Sequence, residues 1–294
     1  MRVWVLGAGG FIGRHLVESL RGAHAVTAFV RPSAAAARGA VRVDLAGAQA
    51  PAVLRRAAEK RGRPDVVFHL ASRQPGPHAP ADYVSANVGT LAGALGFLRD
   101  VPPRRFIYTS TLSVYGRPDR NPVREDAATR PAQAYAASKL AAEGLLGWLA
   151  GRCQVTILRL PSVFGPGQAD SFVDGLAKTA RRHAPIVLFG RGRLLRDALH
   201  VRDVVRVFDA CLRRPAGRGT VVVNLGSGRP ATNRDYARGL VKWLNSRSPI
   251  SSVAKVPPAM FGVYADVARA RRLLGFRPMT LDESLRLYAH ELHA

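Results

Sequence analysis

The fold of this chain is decided by the stretch RVWVLGAGGFIG at residues 2–13. Residues 2–6 form a short apolar run that is typical of a buried strand, and Gly7, Gly10 and Gly13 follow it directly. Glycine lets the backbone turn sharply and lie close to a pyrophosphate, which then binds at the positive end of the next helix. The order of strand, glycine loop and helix therefore predicts a dinucleotide-binding unit.

Apolar runs and helical patterns alternate after this loop. Strands are predicted at residues 25–30, 41–43, 65–70, 105–109 and 155–160, and helices at 10–20, 52–61, 81–99 and 132–150. Such an alternation specifies a Rossmann-type α/β fold, with a doubly wound parallel sheet and right-handed crossovers.

The pattern changes after Pro161, where the elements become shorter and less regular. We therefore expect a dinucleotide-binding Rossmann domain at residues 1–160 and a smaller C-terminal α/β region, mainly substrate-binding, at residues 161–294. A strand at 220–224 would rejoin the main sheet, and a helix at 203–214 would pack on it. The two regions are therefore expected to interleave in part.

The composition is that of an ordinary globular protein, with 47% hydrophobic residues. Cys153 and Cys211 are too few for a disulfide framework, and no Cys/His cluster has zinc spacing, so no metal is expected. No apolar run approaches the ~20 residues that cross a bilayer, and residues 3–6 are too short an apolar stretch for a signal peptide. We expect a cytoplasmic protein that does not bind membranes.

The formal net charge of +24 is unusually high. The arginines are spread along the chain as singles and pairs and form no tail, which indicates a compositional bias towards Ala and Arg. Capture of a phosphate-rich substrate or cofactor is the next interpretation, and nucleic-acid binding is the least favoured. No nucleic-acid partner is expected.

The choice of cofactor follows from the end of the second predicted strand, Phe29-Val30-Arg31-Pro32-Ser33. An NAD site usually places an acidic residue there, bonded to the ribose hydroxyls. Arg31 and Ser33 would instead hold a 2′-phosphate, with Arg38 as a further candidate. This favours NADP, with NAD as the alternative, although Arg31 is also consistent with a solvated loop residue.

Tyr135 and Lys139 stand one helical turn apart on the same face of a predicted helix. A free tyrosine titrates near ~10, and a neighbouring ammonium ion favours its phenolate form. The strand at 105–109 leads into the hydroxyl residues Ser110, Thr111 and Ser113, at the end of the sheet where ligands bind. This arrangement predicts a general acid/base site.

Taken together, these motifs resemble those of the extended short-chain dehydrogenase/reductases, the NAD-dependent epimerase/dehydratase family. The resemblance continues at HLAS (69–72), Asn87, LPSVFGPG (160–167), RDALHVRDV (196–204), NLGSG (224–228) and LGFRP (274–278).

The resemblance implies roles for individual residues. Tyr135 would be the acid/base and would also contact the cofactor, and Lys139 would lower its pKa and bind the nicotinamide ribose. Thr111 would be the catalytic hydroxyl, with Ser110 and Ser113 as weaker candidates. The other residues implied to bind the cofactor are Gly7, Gly10, Phe11, Ile12, Gly13, Arg31, Ser33, Asp44, Leu45, Leu70, Ala71, Ser72, Asn87, Pro161 and Val163. Those implied to bind the substrate are Ser72, Thr111, Ser113, Ser162 and Arg196.

Three further residues are expected to be structural. His200 is expected to brace a loop, Asp203 to cap a helix that starts at residue 204, and Tyr115 to support the site rather than act as a second acid.

The default substrate implied by the resemblance is a sugar nucleotide. Arg196 matches an arginine that such enzymes use against the nucleotide's phosphates, for which a guanidinium group is suited. Two departures weaken this assignment: Ser162 replaces the family's usual asparagine, and residues 257–266 contain no basic residue for a second phosphate contact. Another ketone or alcohol remains an alternative substrate.

The reaction type is narrowed by Leu112 and Ser113, which stand where 4,6-dehydratases carry an acidic pair. Neither residue can act as acid or base, so dehydration is not expected. A 4-ketoreductase using NADPH and an epimerase retaining NAD both remain, and Arg31 favours the reductase. A non-catalytic regulator that senses the cofactor is a third hypothesis.

A homodimer is expected, because in this family the helices near 81–99 and 132–150 pair with their copies. Their apolar residues exceed what one buried stripe needs. These residues are Leu91, Leu95, Leu98, Leu145, Leu146, Trp148 and Leu149.

Overall fold

The computed structural model describes residues 1–34, 39–169, 171–214, 217–256 and 262–293. The chain divides into two compact units. The first unit consists of Met1–Val114, Pro131–Arg159 and Val205–Val223. The second consists of Tyr115–Arg130, Leu160–Val204 and Asn224–Ala294.

The strands and helices are numbered in chain order. The strands are β1 (Arg2–Leu6), β2 (Ala25–Val30), β3 (Val41–Arg42), β4 (Val66–His69), β5 (Arg105–Thr111), β6 (Gln154–Leu160), β7 (Ser162–Phe164), β8 (Ile186–Leu188), β9 (Leu195–Arg196), β10 (Ala198–His200), β11 (Gly219–Asn224), β12 (Ala231–Thr232) and β13 (Ile250–Ser252). The helices are α1 (Phe11–Leu20), α2 (Ala50–Arg61), α3 (Pro80–Tyr83), α4 (Thr90–Leu98), α5 (Ala134–Leu145), α6 (Gly147–Ala150), α7 (Phe172–Arg181), α8 (Val201–Arg213), α9 (Asn233–Trp243), α10 (Ala268–Leu274) and α11 (Leu281–His293).

A seven-stranded sheet with the order β11-β6-β5-β4-β1-β2-β3 forms the centre of the first unit. β1 pairs in parallel with β2 and with β4, and β4 pairs in parallel with β5. The strand order reverses between β1 and β4, which is the switch point where ligands bind in doubly wound sheets. The predicted Rossmann-type α/β fold is confirmed.

Aromatic side chains fill one face of this sheet. Trp4 on β1 is 1% exposed, and its ring stacks on Phe97 of α4 with centroids 5.6 Å apart. The ring of Phe29 on β2 also packs against Trp4, with centroids 4.7 Å apart. Burial of each such side chain stabilises the fold by about 1.5–3 kcal/mol, so this cluster holds β1 and its glycine loop in place.

The helix predicted at 81–99 is interrupted. It begins as α3, continues through a π-helical segment at Val84–Gly89 and ends as α4. A π-helical turn holds one more residue than an α-helical turn, and such turns are frequent at functional sites. The buried Asn87 lies within this segment.

The helix predicted at 132–150 is also shorter than expected. α5 ends at Leu145, and a separate short helix, α6, follows it. Gly144 and Gly147 stand at the break, and glycine is about 1 kcal/mol less favourable than alanine inside a helix.

Within its described residues, the second unit contains three two-stranded sheets, the helices α7, α9, α10 and α11, and the start of α8. β7 pairs with β10 and β8 with β13 in parallel, whereas β9 and β12 are antiparallel. The core between them contains the fully buried side chains Phe164, Tyr236, Leu240, Leu285 and Tyr288. This packing fixes β7 and β9, which carry the predicted substrate residues.

The expectation for Asp203 was wrong. α8 begins at Val201, so Asp203 lies in its first turn rather than at its cap, and its Oδ2 accepts a hydrogen bond from the Met279 backbone N–H at 3.0 Å. His200 is fully buried, with its Nε2 3.0 Å from the Glu291 carboxylate. In the part of the chain that the structure describes, no helix is both long and apolar enough to cross a membrane.

Candidate active site

The glycine loop is built so that only glycine fits at two positions. Gly7 has a φ of +89°, and a Cβ there would lie 2.5 Å from the Ala71 backbone nitrogen. A Cβ on Gly13 would lie 2.3 Å from the Gly7 carbonyl oxygen. Gly7 and Ala8 both donate backbone hydrogen bonds to the Phe29 carbonyl, at 3.1 and 2.9 Å, which ties the loop to the end of β2.

The N-terminus of α1 opens directly from this loop. Gly10 is its N-cap and provides no side chain to bond the first backbone amides, while Phe11 and Ile12 are half-buried in the first turn. Unbonded amides at the positive end of a helix bind anions. These residues therefore fit the pyrophosphate of a dinucleotide.

Arg31 and Ser33 are both exposed just beyond β2, whereas Arg38 lies outside the described residues. The Arg42 guanidinium donates hydrogen bonds to the carbonyls of Pro32 and Ala34, and so holds this turn against β3. The Arg31 guanidinium and the Ser33 hydroxyl are therefore accessible to a ligand at this end of the sheet.

Asp44 and Leu45 follow β3. Asp44 is exposed, and its Oδ1 accepts a hydrogen bond from the Ala46 backbone N–H at 3.1 Å, while Leu45 is buried in the core. Both residues are predicted to bind the cofactor. In the structure they lie shortly after β3, with the Asp44 side chain exposed and the Leu45 side chain buried.

The segment after β4 passes close to the glycine loop. Leu70, Ala71 and Ser72 are half-buried there, and the Leu70 N–H donates to the Leu6 carbonyl at 2.8 Å. The carboxyl ends of β1 and β4 are adjacent in the sheet, so this segment and the glycine loop share one edge.

Asn87 connects this segment to α5. Its Oδ1 accepts a hydrogen bond from the Arg73 backbone N–H at 2.9 Å, and its Nδ2 donates to the Ser138 Oγ at 2.8 Å. The Ser138 hydroxyl in turn donates to the Tyr135 carbonyl at 2.8 Å. A buried side chain bonded on both ends holds the first turn of α5 in a fixed position.

Tyr135 and Thr111 come together at the carboxyl end of β5. Tyr135 is 9% exposed, and an interaction with the Thr111 side chain lowers the pKa of its phenol against the larger effect of burial. The Thr111 Oγ1 also accepts a hydrogen bond from the Ser113 backbone N–H at 3.2 Å, which orients the hydroxyl.

The other two hydroxyl candidates have different surroundings. Ser110 donates a hydrogen bond to the Glu143 carboxylate, and Ser113 is exposed. Of the three, Thr111 is the one that the structure brings to Tyr135.

The pKa of Tyr135 differs from the prediction, in which Lys139 lowers it. Burial raises the pKa of Tyr135 to about 12, although the interaction with Thr111 opposes this. Burial also lowers the pKa of Lys139 to about 7, while Glu143 raises it. Desolvation disfavours the charged form of both groups, so before any ligand binds the phenol is protonated at neutral pH.

Sequence reasoning missed the ion pair beneath this site. Glu143 accepts hydrogen bonds from the Arg159 Nε at 3.2 Å and from its Nη2 at 2.7 Å, and both side chains are only 7% exposed. The available signal was the spacing Tyr135, Lys139 and Glu143, since residues four apart share one face of a helix.

Four predicted residues belong to the second unit. Pro161 is half-buried, Ser162 is exposed, and Val163 is buried in β7. Arg196 on β9 is half-buried, its Nε donates to the Asn233 Oδ1 at 3.1 Å, and its guanidinium carbon lies 5.2 Å from the ring centroid of Phe172.

This arrangement fixes the plane of the Arg196 guanidinium group. A guanidinium carries five N–H donors, and the bond to Asn233 uses the one on Nε. Burial lowers the pKa of Arg196 from its ordinary value. A preoriented guanidinium of this kind is suited to bidentate binding of a phosphate or carboxylate.

Fewer apolar side chains of the two long helices are exposed than the sequence suggested. Leu91, Leu95 and Leu98 are buried in the core of the first unit, as are Leu146 and Leu149. Trp148 is the exception, at 73% exposed, and Leu145 is half-buried.

Within the described ranges, no group of three or more His, Cys, Asp or Glu side chains is placed to hold a metal ion.

The fold and site define an NAD(P)-dependent enzyme of the extended short-chain dehydrogenase/reductase type, as the sequence predicted. The chain belongs to the NAD dependent epimerase/dehydratase family, whose model matches residues 3–226. The family and the class of enzyme predicted from the sequence are confirmed.

Individual relatives extend over nearly the whole chain. A UDP-glucose 4-epimerase from Azospirillum brasilense is 31% identical over 94% of this chain and 87% of its own. A GDP-6-deoxy-D-mannose reductase from Pseudomonas aeruginosa is 29% identical over 97% and 95%. Among solved structures, MoeE5 in complex with UDP-glucose and NAD is 30% identical, with a TM-score of 0.84 over 100% of this chain and 99% of that one.

Proposed function

We propose that this enzyme reduces a keto-sugar carried on a nucleotide, a 4-ketoreductase reaction, with NADPH as the hydride donor. The observation that carries the proposal is the buried Tyr135 phenol beside Thr111, one helical turn from Lys139 and at the same sheet edge as the glycine loop. A reduction consumes a proton at the carbonyl oxygen, and this phenol is placed to supply it.

The protonated form of Tyr135 is the form that a reduction requires. With its pKa raised to about 12 by burial, the phenol holds its proton at neutral pH. A bound nicotinamide cofactor supplies the hydride that adds to the carbonyl carbon. Tyr135 donates its hydroxyl proton to the carbonyl oxygen, which gives the alcohol, and the phenolate then regains a proton from solvent. Thr111 donates a hydrogen bond to the same oxygen, and Lys139 favours the phenolate as it forms.

We assign cofactor binding to the first unit, through the glycine loop, residues 44–45 and 70–72, and Asn87. NADP is the proposed form because Arg31 and Ser33 stand exposed where an NAD enzyme would carry an acid. A carboxylate there would repel the 2′-phosphate, whereas Arg31 attracts it.

In the second unit we assign substrate binding to Ser162 and Arg196. In the first unit we assign the same role to Ser72, Thr111 and Ser113. The guanidinium of Arg196, fixed by Asn233 and Phe172, is suited to a nucleotide diphosphate. The named relatives support this substrate class, since they act on UDP-glucose or a GDP-linked sugar and MoeE5 binds UDP-glucose.

Sugar-nucleotide epimerisation is the second candidate. It is favoured by the 31% identity to a UDP-glucose 4-epimerase and by the NAD bound in MoeE5. An epimerase oxidises and then re-reduces the same carbon, so it keeps its NAD and shows no net use of cofactor.

The deciding experiment identifies the nucleotide released when the purified protein is denatured, and then measures turnover. UDP- and GDP-linked 4-keto sugars are supplied with NADPH, and loss of the reduced cofactor is followed. Net oxidation of NADPH with formation of the alcohol supports the proposal. Released NAD, with interconversion of two sugar epimers and no net cofactor use, would replace it with the epimerase.

A further inference from the structure

The buried ion pair beneath the active site has no part in the Tyr135 and Lys139 pattern. Glu143 follows Lys139 by one helical turn on α5, and Arg159 lies on β6 in the neighbouring part of the sheet. Both side chains are 7% exposed. Two charges are expensive to bury, and replacing such a pair by apolar residues is often neutral or stabilising. Stability alone therefore does not account for this buried ion pair.

The carboxylate of Glu143 is held at three points. Arg159 donates through Nε at 3.2 Å and through Nη2 at 2.7 Å, and the Ser110 hydroxyl donates to Oε1. Bidentate contacts fix the orientation of a carboxylate as well as its distance. Glu143 is therefore a fixed negative charge and not a mobile side chain.

Lys139, one helical turn before Glu143 on α5, lies in a closely packed environment. It is 2% exposed, and its Nζ lies 4.4 Å from the centroid of the Tyr108 ring. The face of an aromatic ring attracts a cation, but only weakly compared with the cost of burying an ammonium ion. Burial alone would discharge Lys139.

The other titratable side chains around Lys139 do not supply a negative charge. They are His69 on β4, Tyr108 on β5, Tyr135 on α5 and Arg159 on β6. Burial, together with Lys139, lowers the pKa of His69 to about 4, so its imidazole is neutral at pH 7. Burial raises the pKa of both tyrosines, so they are also neutral. Arg159 is positive and would only repel an ammonium ion.

We propose that Glu143, fixed by Arg159 and Ser110, is a positioning residue that keeps the buried Lys139 side chain in its ammonium form. The reaction depends on that charge, because an ammonium stabilises the phenolate that Tyr135 becomes when it gives up its proton. This inference rests on the proposed function for its catalytic consequence. The coupling between Glu143 and Lys139 is a property of the protein itself.

The test measures the titration of Lys139 directly. The chain contains five lysines, at positions 60, 139, 178, 242 and 255, so protein labelled with 13C at the lysine ε-carbon gives few signals. Loss of one signal in Lys139→Met assigns it. The pKa of Lys139 is then measured in the parent and in Glu143→Gln, beside the pH profile of kcat/KM.

The expected result is a pKa for Lys139 lower by about one unit or more in Glu143→Gln, because a nearby opposite charge has been removed. The alkaline limb of the kcat/KM profile should move to lower pH by the same interval. Since the pKa of Lys139 is about 7 in the parent, a downward shift of one unit lowers its ammonium fraction at pH 7 from about one half to about one tenth, a loss of about fivefold that approaches tenfold at higher pH. Glu143→Asp, which keeps the charge, should return both readouts towards those of the parent.

Removing one member of a buried pair is strongly destabilising, so the double variant Glu143→Gln/Arg159→Met is measured in parallel. It lacks both charges, so the pKa of Lys139 should fall as in Glu143→Gln but by a smaller amount, because the loss of Arg159 also removes a repulsion. The matched control is Asp209→Asn, which breaks the partly exposed i,i+4 pair with Arg213 on α8. Lys139 should titrate in that variant as in the parent.

A folded variant without the carboxylate in which Lys139 titrates as in the parent overturns the inference and leaves the proposed function intact. A shifted titration with an unmoved pH profile also overturns the positioning role. A parent protein with no turnover on any sugar nucleotide counts against the proposed function, and the Lys139 titration still decides the coupling to Glu143.

Discussion

Replacing Tyr135 with phenylalanine removes one oxygen atom from the centre of the proposed active site and leaves the ring in place. The phenol is the proton donor in the proposed reduction, and Tyr135 is 9% exposed, so water has little access to take over its role. We expect kcat to fall by about 10²–10⁴-fold, the usual contribution of a general acid. That range corresponds to about 3–5 kcal/mol of transition-state stabilisation.

The same substitution should have little effect on folding or on cofactor binding. It removes an interaction with Thr111, whose net contribution to the free energy of unfolding is about 0.5–1.5 kcal/mol. NADPH affinity, measured by fluorescence titration, should be unchanged, because the substitution leaves the glycine loop and the end of β2 untouched.

A matched control is Tyr288→Phe in the second unit. Its hydroxyl donates to the Asp174 Oδ1 at 3.1 Å, and its ring is fully buried. This variant should lose a similar amount of stability and keep its kcat. If Tyr135→Phe retained turnover close to that of the parent, or if Tyr288→Phe lost as much, the assignment of Tyr135 as the acid would be refuted.

Four further predictions follow from the same geometry. Arg31→Asp should reverse the preference of the enzyme from NADPH to NADH, and the parent's preference should shrink as salt screens the exposed guanidinium; equal affinities in the parent would count against NADP. Arg196→Ala should raise KM for a sugar nucleotide by an amount worth about 1.5–3 kcal/mol and leave NADPH binding intact, and unchanged kinetics would indicate a substrate without phosphate. Gly13→Ala should lower the midpoint of thermal unfolding, because its Cβ would lie 2.3 Å from the Gly7 carbonyl; a midpoint equal to the parent's would show that the loop relaxes freely. Light scattering should show a homodimer, with Trp148→Ser shifting it towards monomer, and a monomeric parent at micromolar concentration would reject this.

The central sheet could be read from the sequence because its strands are continuous apolar runs bounded by turn residues. Residues 25–30 were predicted as a strand and form one with the same limits. The glycine loop could also be predicted from the sequence, because a side chain at Gly7 or Gly13 would collide with the backbone. Local patterns were sufficient where local physics decides the structure.

The ion pair of Glu143 and Arg159 could not be read in this way. The two residues lie on different elements, and nothing in the local pattern of either one indicates that both are buried. The same holds for the pKa of Tyr135, which the sequence predicted to be lowered by Lys139. Burial raises it instead, and burial depends on the packing of the whole unit.

The π-helical segment at Val84–Gly89 makes the effect of a deletion depend on where it falls in this part of the chain. A π-helical turn holds one more residue than an α-helical turn, so loss of one residue inside the segment would convert it to a regular turn and leave Leu91 and Leu95 facing the core. In a regular helix each residue advances the side chains by about 100° around the axis, so the same deletion within α4 would rotate the residues that follow away from the core. A scan of single-residue deletions should therefore find a tolerated window at residues 84–89 and none within α4.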